Sequence, residues 1–259
     1  MRVTVCELSN EPQQLARDWE KLSGHVQCSR SDLVVLPEMP FFPWVAWTRT
    51  VDPSIWKRSV AAHDAWLQRL GDLSPAVVLG TRPVVRNGRR FNQGFAWDPA
   101  GGYRAVHDKT YLPDEDGFWE ASWYDRGPRE FVPVDLGIVT AGFLICTELW
   151  FAEHARAYAK AGARLLVCPR ATPATSAGKW LAGGRAAAVV SGAYVLSSCF
   201  AGEGPNGMTW AGSGWIVEPE EADILAVTSA AQPFVTLDID PGIADKAQQT
   251  YPRYVMDGG

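Results

Sequence analysis

The sequence predicts an α/β fold, a four-layer α-β-β-α sandwich of two mixed sheets with helices on both outer faces. Three observations predict it. Strand-length apolar runs alternate with helix-length amphipathic runs in both halves of the chain. In each half the alternation gives way to strands joined by short turns. No low-complexity or Pro/Gly-rich linker divides the 259 residues, so one domain over residues 1–259 is expected.

Residues 2–8 alternate as a strand. Pro12 then opens a helix to about Ser29, with Leu15, Trp19 and Leu22 at helical spacing. Residues 32–36 read as a buried strand. Asp52-Pro53 is a helix start, a capping side chain followed by proline at the first helical position. Trp56, Val60, His63, Leu67 and Leu70 make one face of that helix, which should end near Gly71. Residues 76–86 and 89–97 flank Asn87-Gly88, a strong hairpin signal, and Gly101-Gly102 turns the chain into a strand over 103–107. The second half should hold strands at 130–134 and 138–145, a helix over 151–161, a strand at 164–169 and a helix over 179–192. Strands at 193–199, 213–218, 224–228 and 234–238 complete it.

Composition excludes several classes. The net charge of -5 comes with scattered basic residues, which argues against a nucleic-acid surface. No run approaches the ~20 apolar residues that span a bilayer, and no signal core follows Met1. Cys6, Cys28, Cys146, Cys168 and Cys199 are odd in number and widely spaced, so reduced thiols and a cytoplasmic setting are expected. His25, His63, His107 and His154 are isolated from one another and from carboxylate clusters, and no metal site or cofactor is expected.

Three reactive residues stand where predicted strands stop: Glu38 after the second strand, Lys109 after 103–107, and Cys146 after 138–145. Loops at strand ends converge on shared clefts, so an acid, an amine and a thiol could meet there. Each alone has a plainer reading, a core-filling thiol or a solvated charge. Glu38 is the least plain, because Pro37 and the aromatic stretch after it should keep it from free hydration.

Residues 34–41 (VVLPEMPF), 108–113 (DKTYLP) and 144–150 (LICTELW) resemble, in order and spacing, the glutamate, lysine and cysteine motifs of the nitrilase superfamily, the carbon-nitrogen hydrolases. The resemblance covers nearly the whole chain. It implies the sandwich fold, a Glu38-Lys109-Cys146 triad, and pairing into homodimers or higher homo-oligomers, to which the aromatic run 250–255 would be suited. It also implies a second glutamate a short way past the lysine. Glu120 is the candidate, with Glu115 and Asp114 as competing positions.

In such a site Lys109 would enlarge the thiolate fraction of Cys146. The thiolate would attack a small amide, and Lys109 with the backbone N–H of Thr147 would hold the oxyanion. Glu38 would serve as base and then acid. Trp119 and Trp150 are the candidate pocket walls, ahead of Phe41, Phe42, Trp44 and Trp123. Arg170 at another strand end is a candidate anchor for a substrate carboxylate. Thr147-Glu148 stands where the nitrile-cleaving branch of the superfamily typically has Trp-Glu, which points toward amides or N-carbamoyl compounds rather than nitriles. His107-Asp108 also departs from the basic residue many relatives carry before the lysine.

The rival readings are a nucleotide-binding protein, on Gly202, Gly204 and Gly207, and a catalytically silent interaction module. Pro205 and the strand-like sequence after the glycines argue against the first, since a pyrophosphate site needs a helix N-terminus. No serine has the flanking glycines of a nucleophile elbow.

Overall fold

The computed structural model describes residues 1–255. Its elements, in order, are β1 (Arg2–Leu8), α1 (Pro12–Ser29), β2 (Leu33–Val35), α2 (Pro53–Leu67), β3 (Val77–Arg86), β4 (Arg89–Asp98) and β5 (Gly102–Asp108). There follow α3 (Glu120–Trp123), β6 (Val134–Asp135), β7 (Thr140–Phe143), α4 (Ala152–Lys160), β8 (Leu165–Arg170), α5 (Ala177–Ser191) and β9 (Tyr194–Phe200). The last are β10 (Trp215–Val217), β11 (Ile224–Val227), β12 (Phe234–Asp238) and α6 (Pro241–Ala247).

Local chemistry explains the boundaries. Helix α1 begins where the Glu11 carboxylate accepts from the amides of Gln13 and Gln14 ahead of its first turn, and it ends on Arg30 in the left-handed region. Asp52 caps α2 through Ser54 N–H at 2.8 Å. That helix stops at Leu67, short of the expected Gly71, and the chain tightens into a separate 3-10 turn over Leu70–Leu73. Asn87 and Gly88 both take positive φ, 52° and 74°, the geometry that lets a two-residue turn join β3 to β4.

The sequence suggests two separate sheets, whereas the structure joins the strands into one mixed network ordered β5-β4-β3-β2-β1-β9-β8-β7-β6. Strand β1 makes the join. Residues Arg2 to Cys6 pair with β12, and the last two, Glu7 and Leu8, pair with β9. Period-2 alternation then distributes the core. Val3, Val5, Leu33 and Val35 face Phe143, Val167 and Leu196 of the other half, while Val34, Leu36 and Val78 face Trp19 and Leu22 of α1. On the far side, Ala155 and Tyr158 of α4 and Ala187 and Ala188 of α5 pack on Leu166, Val195 and Trp215. Gly184 lets α5 come this close, since a Cβ there would lie 2.4 Å from the Trp215 ring. No described helix is long and apolar enough to cross a membrane.

Candidate active site

Each of the three reactive residues lies just past a strand. The chain leaves β2 with Glu38 N–H donating to Arg170 O at 3.3 Å and Met39 N–H to Thr81 Oγ1 at 2.8 Å. Lys109 directly follows β5, its N–H bonded to Asn92 O and its C=O accepting from Gly127 N–H, both at 2.9 Å. Gly127 is required there, because a Cβ would fall 2.2 Å from Asp108 O. Cys146 opens a 3-10 turn over Cys146–Trp150 with φ of 48°, a left-handed conformation that is uncommon for a non-glycine residue. Backbone strain of this kind collects at functional sites.

The three meet. Lys109 Nζ lies 2.7 Å from Glu38 Oε1 and 2.6 Å from Glu120 Oε2, with all three side chains at most 1% exposed. Glu120, the first residue of α3, is thus the carboxylate brought against Lys109 beside Glu38, while Asp114 and Glu115 lie exposed. Asn92 Nδ2 donates to Glu38 Oε1 at 2.8 Å. The other oxygen, Glu38 Oε2, is buried with no hydrogen-bond partner among the described residues.

Charge in this cluster is shared unevenly, one ammonium between two carboxylates. Burial works against the Lys109 charge, but Glu120 and Glu38 outweigh it and hold the ammonium above its ordinary range. Burial lifts the Glu120 carboxyl against the pull of Lys109. Burial also pushes the Cys146 thiol well above its usual range, Glu38 adds to that, and Lys109 opposes it. Lys109 thus pulls toward the thiolate, as expected, against the larger push of burial. The ammonium is shared between carboxyl oxygens at 2.6 and 2.7 Å, which divides its pull on the sulfur.

Cys146, Thr147 and Glu120 line a cavity of about 570 Å³. Phe118, Trp150, Phe151 and Trp180 wall it, and Asp114, Glu115, Arg126 and Lys179 add charge at its surface. Trp150 is thus among the lining residues, its ring 5.0 Å from that of Trp180. Trp119 does not line the cavity; its neighbour Phe118 does, and Arg49 covers the Trp119 ring. Phe41 stacks on Trp66, and Trp44 and Trp123 are buried in a separate aromatic cluster.

Arg170 corrects another expectation. It is the last residue of β8, fully buried, and absent from the cavity lining. Its guanidinium donates to Ser197 Oγ at 2.6 Å, Thr172 Oγ1 at 3.0 Å and Ser213 O at 2.7 Å, and lies over the Trp215 ring. Such an arginine ties β8 to β9 and to the chain ahead of β10, with its guanidinium buried outside the cavity lining.

Sequence reasoning missed Asn92, Tyr124 and Glu148. Asn92 carried a signal, an amide within a strand that otherwise favours apolar and β-branched residues. Tyr124 follows α3, and its hydroxyl is close to Glu120 and Asn92. Glycines 202, 204 and 207 lie around a 3-10 turn over Pro205–Gly207 and a Glu203–Thr209 β-bridge, with β10 rather than a helix after them. Among the described residues no group of three or more His, Cys, Asp or Glu side chains is placed to hold a metal ion.

The site thus sets a buried lysine, bracketed by two carboxylates, beside a cavity cysteine, and comparison with known proteins gives the family. The chain belongs to the carbon-nitrogen hydrolase family, whose model matches residues 2–245. It is 27% identical over 253 residues to a glutamine-dependent NAD(+) synthetase of Rhodobacter capsulatus, covering 94% of this chain and 44% of the synthetase, so it spans less than half of that protein. Its fold is similar to the crystal structure of a carbon-nitrogen hydrolase from Helicobacter pylori G27, with a TM-score of 0.84, 19% identity, and 98% and 94% of the two chains covered. It is also similar to a variant of the amidase from Nesterenkonia sp. AN1 bearing the acetamide moiety of fluoroacetamide on its active-site cysteine, with a TM-score of 0.77, 20% identity, and 98% and 95% covered.

Proposed function

We propose that the chain hydrolyses a small amide or N-carbamoyl compound through a thioester on Cys146. The observation that carries the reading is Lys109, fully buried between Glu38 and Glu120 beside a cysteine that opens into a cavity. Glu38 Oε2 takes the Sγ proton as sulfur attacks the carbonyl carbon, because Oε1 is already occupied by Lys109 and Asn92. Lys109 and the Thr147 N–H hold the oxyanion, contacts whose loss costs on the order of 3–4 kcal/mol. The C–N bond breaks as Glu38 returns that proton to the departing nitrogen. Water, deprotonated by Glu38, then attacks the thioester, and the thiol is restored as the acid leaves. Glu120 keeps the ammonium in place.

The amidase among the structural relatives favours an amide over a nitrile, as does the Thr147-Glu148 pair. The same reading includes the four-layer α-β-β-α arrangement, supported by the apolar clusters between the halves and under α1, α4 and α5. It also includes a homodimer or higher homo-oligomer, for which Tyr251 and Tyr254, exposed at 74% and 61%, are candidate contacts, and a cytoplasmic setting, for which the five free cysteines speak.

The test is ammonia release from simple amides, N-carbamoyl amines, N-carbamoyl amino acids and nitriles, with wild type beside Cys146→Ala. Release by wild type from amides or N-carbamoyl compounds and none by the variant is expected. Equal release by both would refute the reading, and release from nitriles alone would move it to nitrile hydrolysis.

A further inference from the structure

The second residue after the nucleophile carries a carboxylate that the mechanism does not use. Glu148 is fully buried and does not line the cavity. Its Oε2 accepts from Ile145 N–H at 2.8 Å and lies 2.9 Å from His107 Nε2, while Oε1 accepts from Thr110 N–H at 2.7 Å. Ile145 immediately precedes Cys146, and Thr110 immediately follows Lys109. One carboxylate therefore fastens the main chain beside the nucleophile to the main chain beside the lysine, across two strands distant in sequence. A single 3-10 turn has little stability of its own, and this one starts from a left-handed cysteine. It needs an external clamp.

We propose that Glu148 and His107 form a positioning pair that holds Cys146 in register with Lys109 and Glu38. The inference rests on the proposed hydrolase reading. His107 is the titratable member of the pair. Its Nε2 faces Glu148 and the ring also bonds the backbone carbonyl of Glu130, so both ring nitrogens donate and the imidazolium suits the site best. Asp108 is the other carboxylate near the ring, and it is engaged by Arg86 and Gln93. Phe131 packs on His107 and separates it from His154, which stacks on the far side and bonds Tyr111. Tyr158 faces Glu148 from α4, with its hydroxyl donating to Phe143 O.

Burial opposes the imidazolium, but Glu148, with Asp108 and the Glu130 carbonyl, outweighs it and raises His107 above its ordinary 6.5. A raised cation contributes fully below about pH 6.5 and is lost as pH climbs through its folded value. The clamp therefore loosens on the alkaline side.

The test uses Glu148→Gln and His107→Gln, the second keeping a donor toward Glu148 without a titrating group. Iodoacetamide alkylation of Cys146, read by peptide mass spectrometry against exposed Cys28 in the same sample, reports alignment without any substrate. Turnover of whichever amide wild type hydrolyses supplies kcat and KM. For Glu148→Gln we expect kcat to fall ~10–100-fold, the range a misplacement of about 1 Å produces, with KM within ~3-fold. Cys146 alkylation should slow in parallel, because a buried thiol parted from its base stays protonated. For His107→Gln we expect near-normal rates at pH 6 and a shallower decline on the alkaline side than in wild type. Unchanged or faster alkylation and unchanged kcat in Glu148→Gln, or a His107→Gln pH profile superimposable on wild type, would overturn the pairing. Failure of the hydrolase reading shows separately, as turnover that survives Cys146→Ala.

Discussion

Replacing Lys109 by Met removes the one cation between two buried carboxylates and keeps its apolar stem. Neither Glu38 nor Glu120 can then be hydrated, since both are at most 1% exposed. Removing one partner of a buried ion pair costs ~3–5 kcal/mol. The cost must also depend on pH, because carboxyl groups without a counter-ion stay folded most easily when protonated. Burial already raises Glu120 to about 7 with the lysine present. Without it, Glu120 loses that opposing pull and keeps its proton to higher pH still. A raised acid contributes fully below its unfolded value of ~4.3 and is lost as pH rises, at about 1.4 kcal/mol per unit for each proton retained. From pH 7 to pH 8 the gap between Lys109→Met and wild type should therefore widen by about 1.4 kcal/mol. Urea unfolding at both pH values measures it, with an unchanged m-value as the check on two-state behaviour. Adding Glu120→Gln should recover at least half of the loss at pH 8, since it removes one of the stranded charges. A Lys109→Met protein within ~1 kcal/mol of wild type at pH 8, or a gap that does not widen with pH, would refute the charge assignment.

Arg170→Met should lower stability by several kcal/mol, roughly 2–4, because Ser197 and Thr172 hydroxyls and Ser213 O lose a buried donor, while KM for acidic and neutral substrates changes alike; a selective rise for acidic ones would return Arg170 to the substrate. Gly127→Ala should force the Asp108-Lys109 backbone to shift, costing about 1–3 kcal/mol in denaturant unfolding and most of the turnover; full activity would show that the close approach to Asp108 O is not needed.

Much of this was legible before any coordinates, and the gaps have physical causes. Asn87-Gly88, Asp52-Pro53 and the apolar period of α1 dictate local conformation, so the elements around them fall where the sequence places them. Asp240-Pro241 is the same start signal as Asp52-Pro53, with Asp240 accepting from Gly242 N–H, and α6 could have been read from it. Helix α3 has four residues, too few for any periodicity, so the element that delivers Glu120 was invisible even though the residue was not. The side-chain direction of Arg170 was hidden because β8 is buried on both faces, which removes the alternation that would mark an inward arginine. The net push on the Cys146 thiol is a sum over burial, Glu38, Lys109 and Glu120, and no stretch of sequence contains that sum. Glu148 went unread as a clamp for the same reason, since its partners Thr110 and His107 lie about forty residues away.

The most direct test of the account is to quench wild-type enzyme with acid during turnover of an amide it hydrolyses and to measure the mass of the Cys146 peptide. The account predicts a hydroxylamine-labile increase equal to the acyl group on Cys146 and none on Cys6, Cys28, Cys168 or Cys199. Continuing turnover with Cys146 unmodified, together with activity that survives Cys146→Ala, would contradict it.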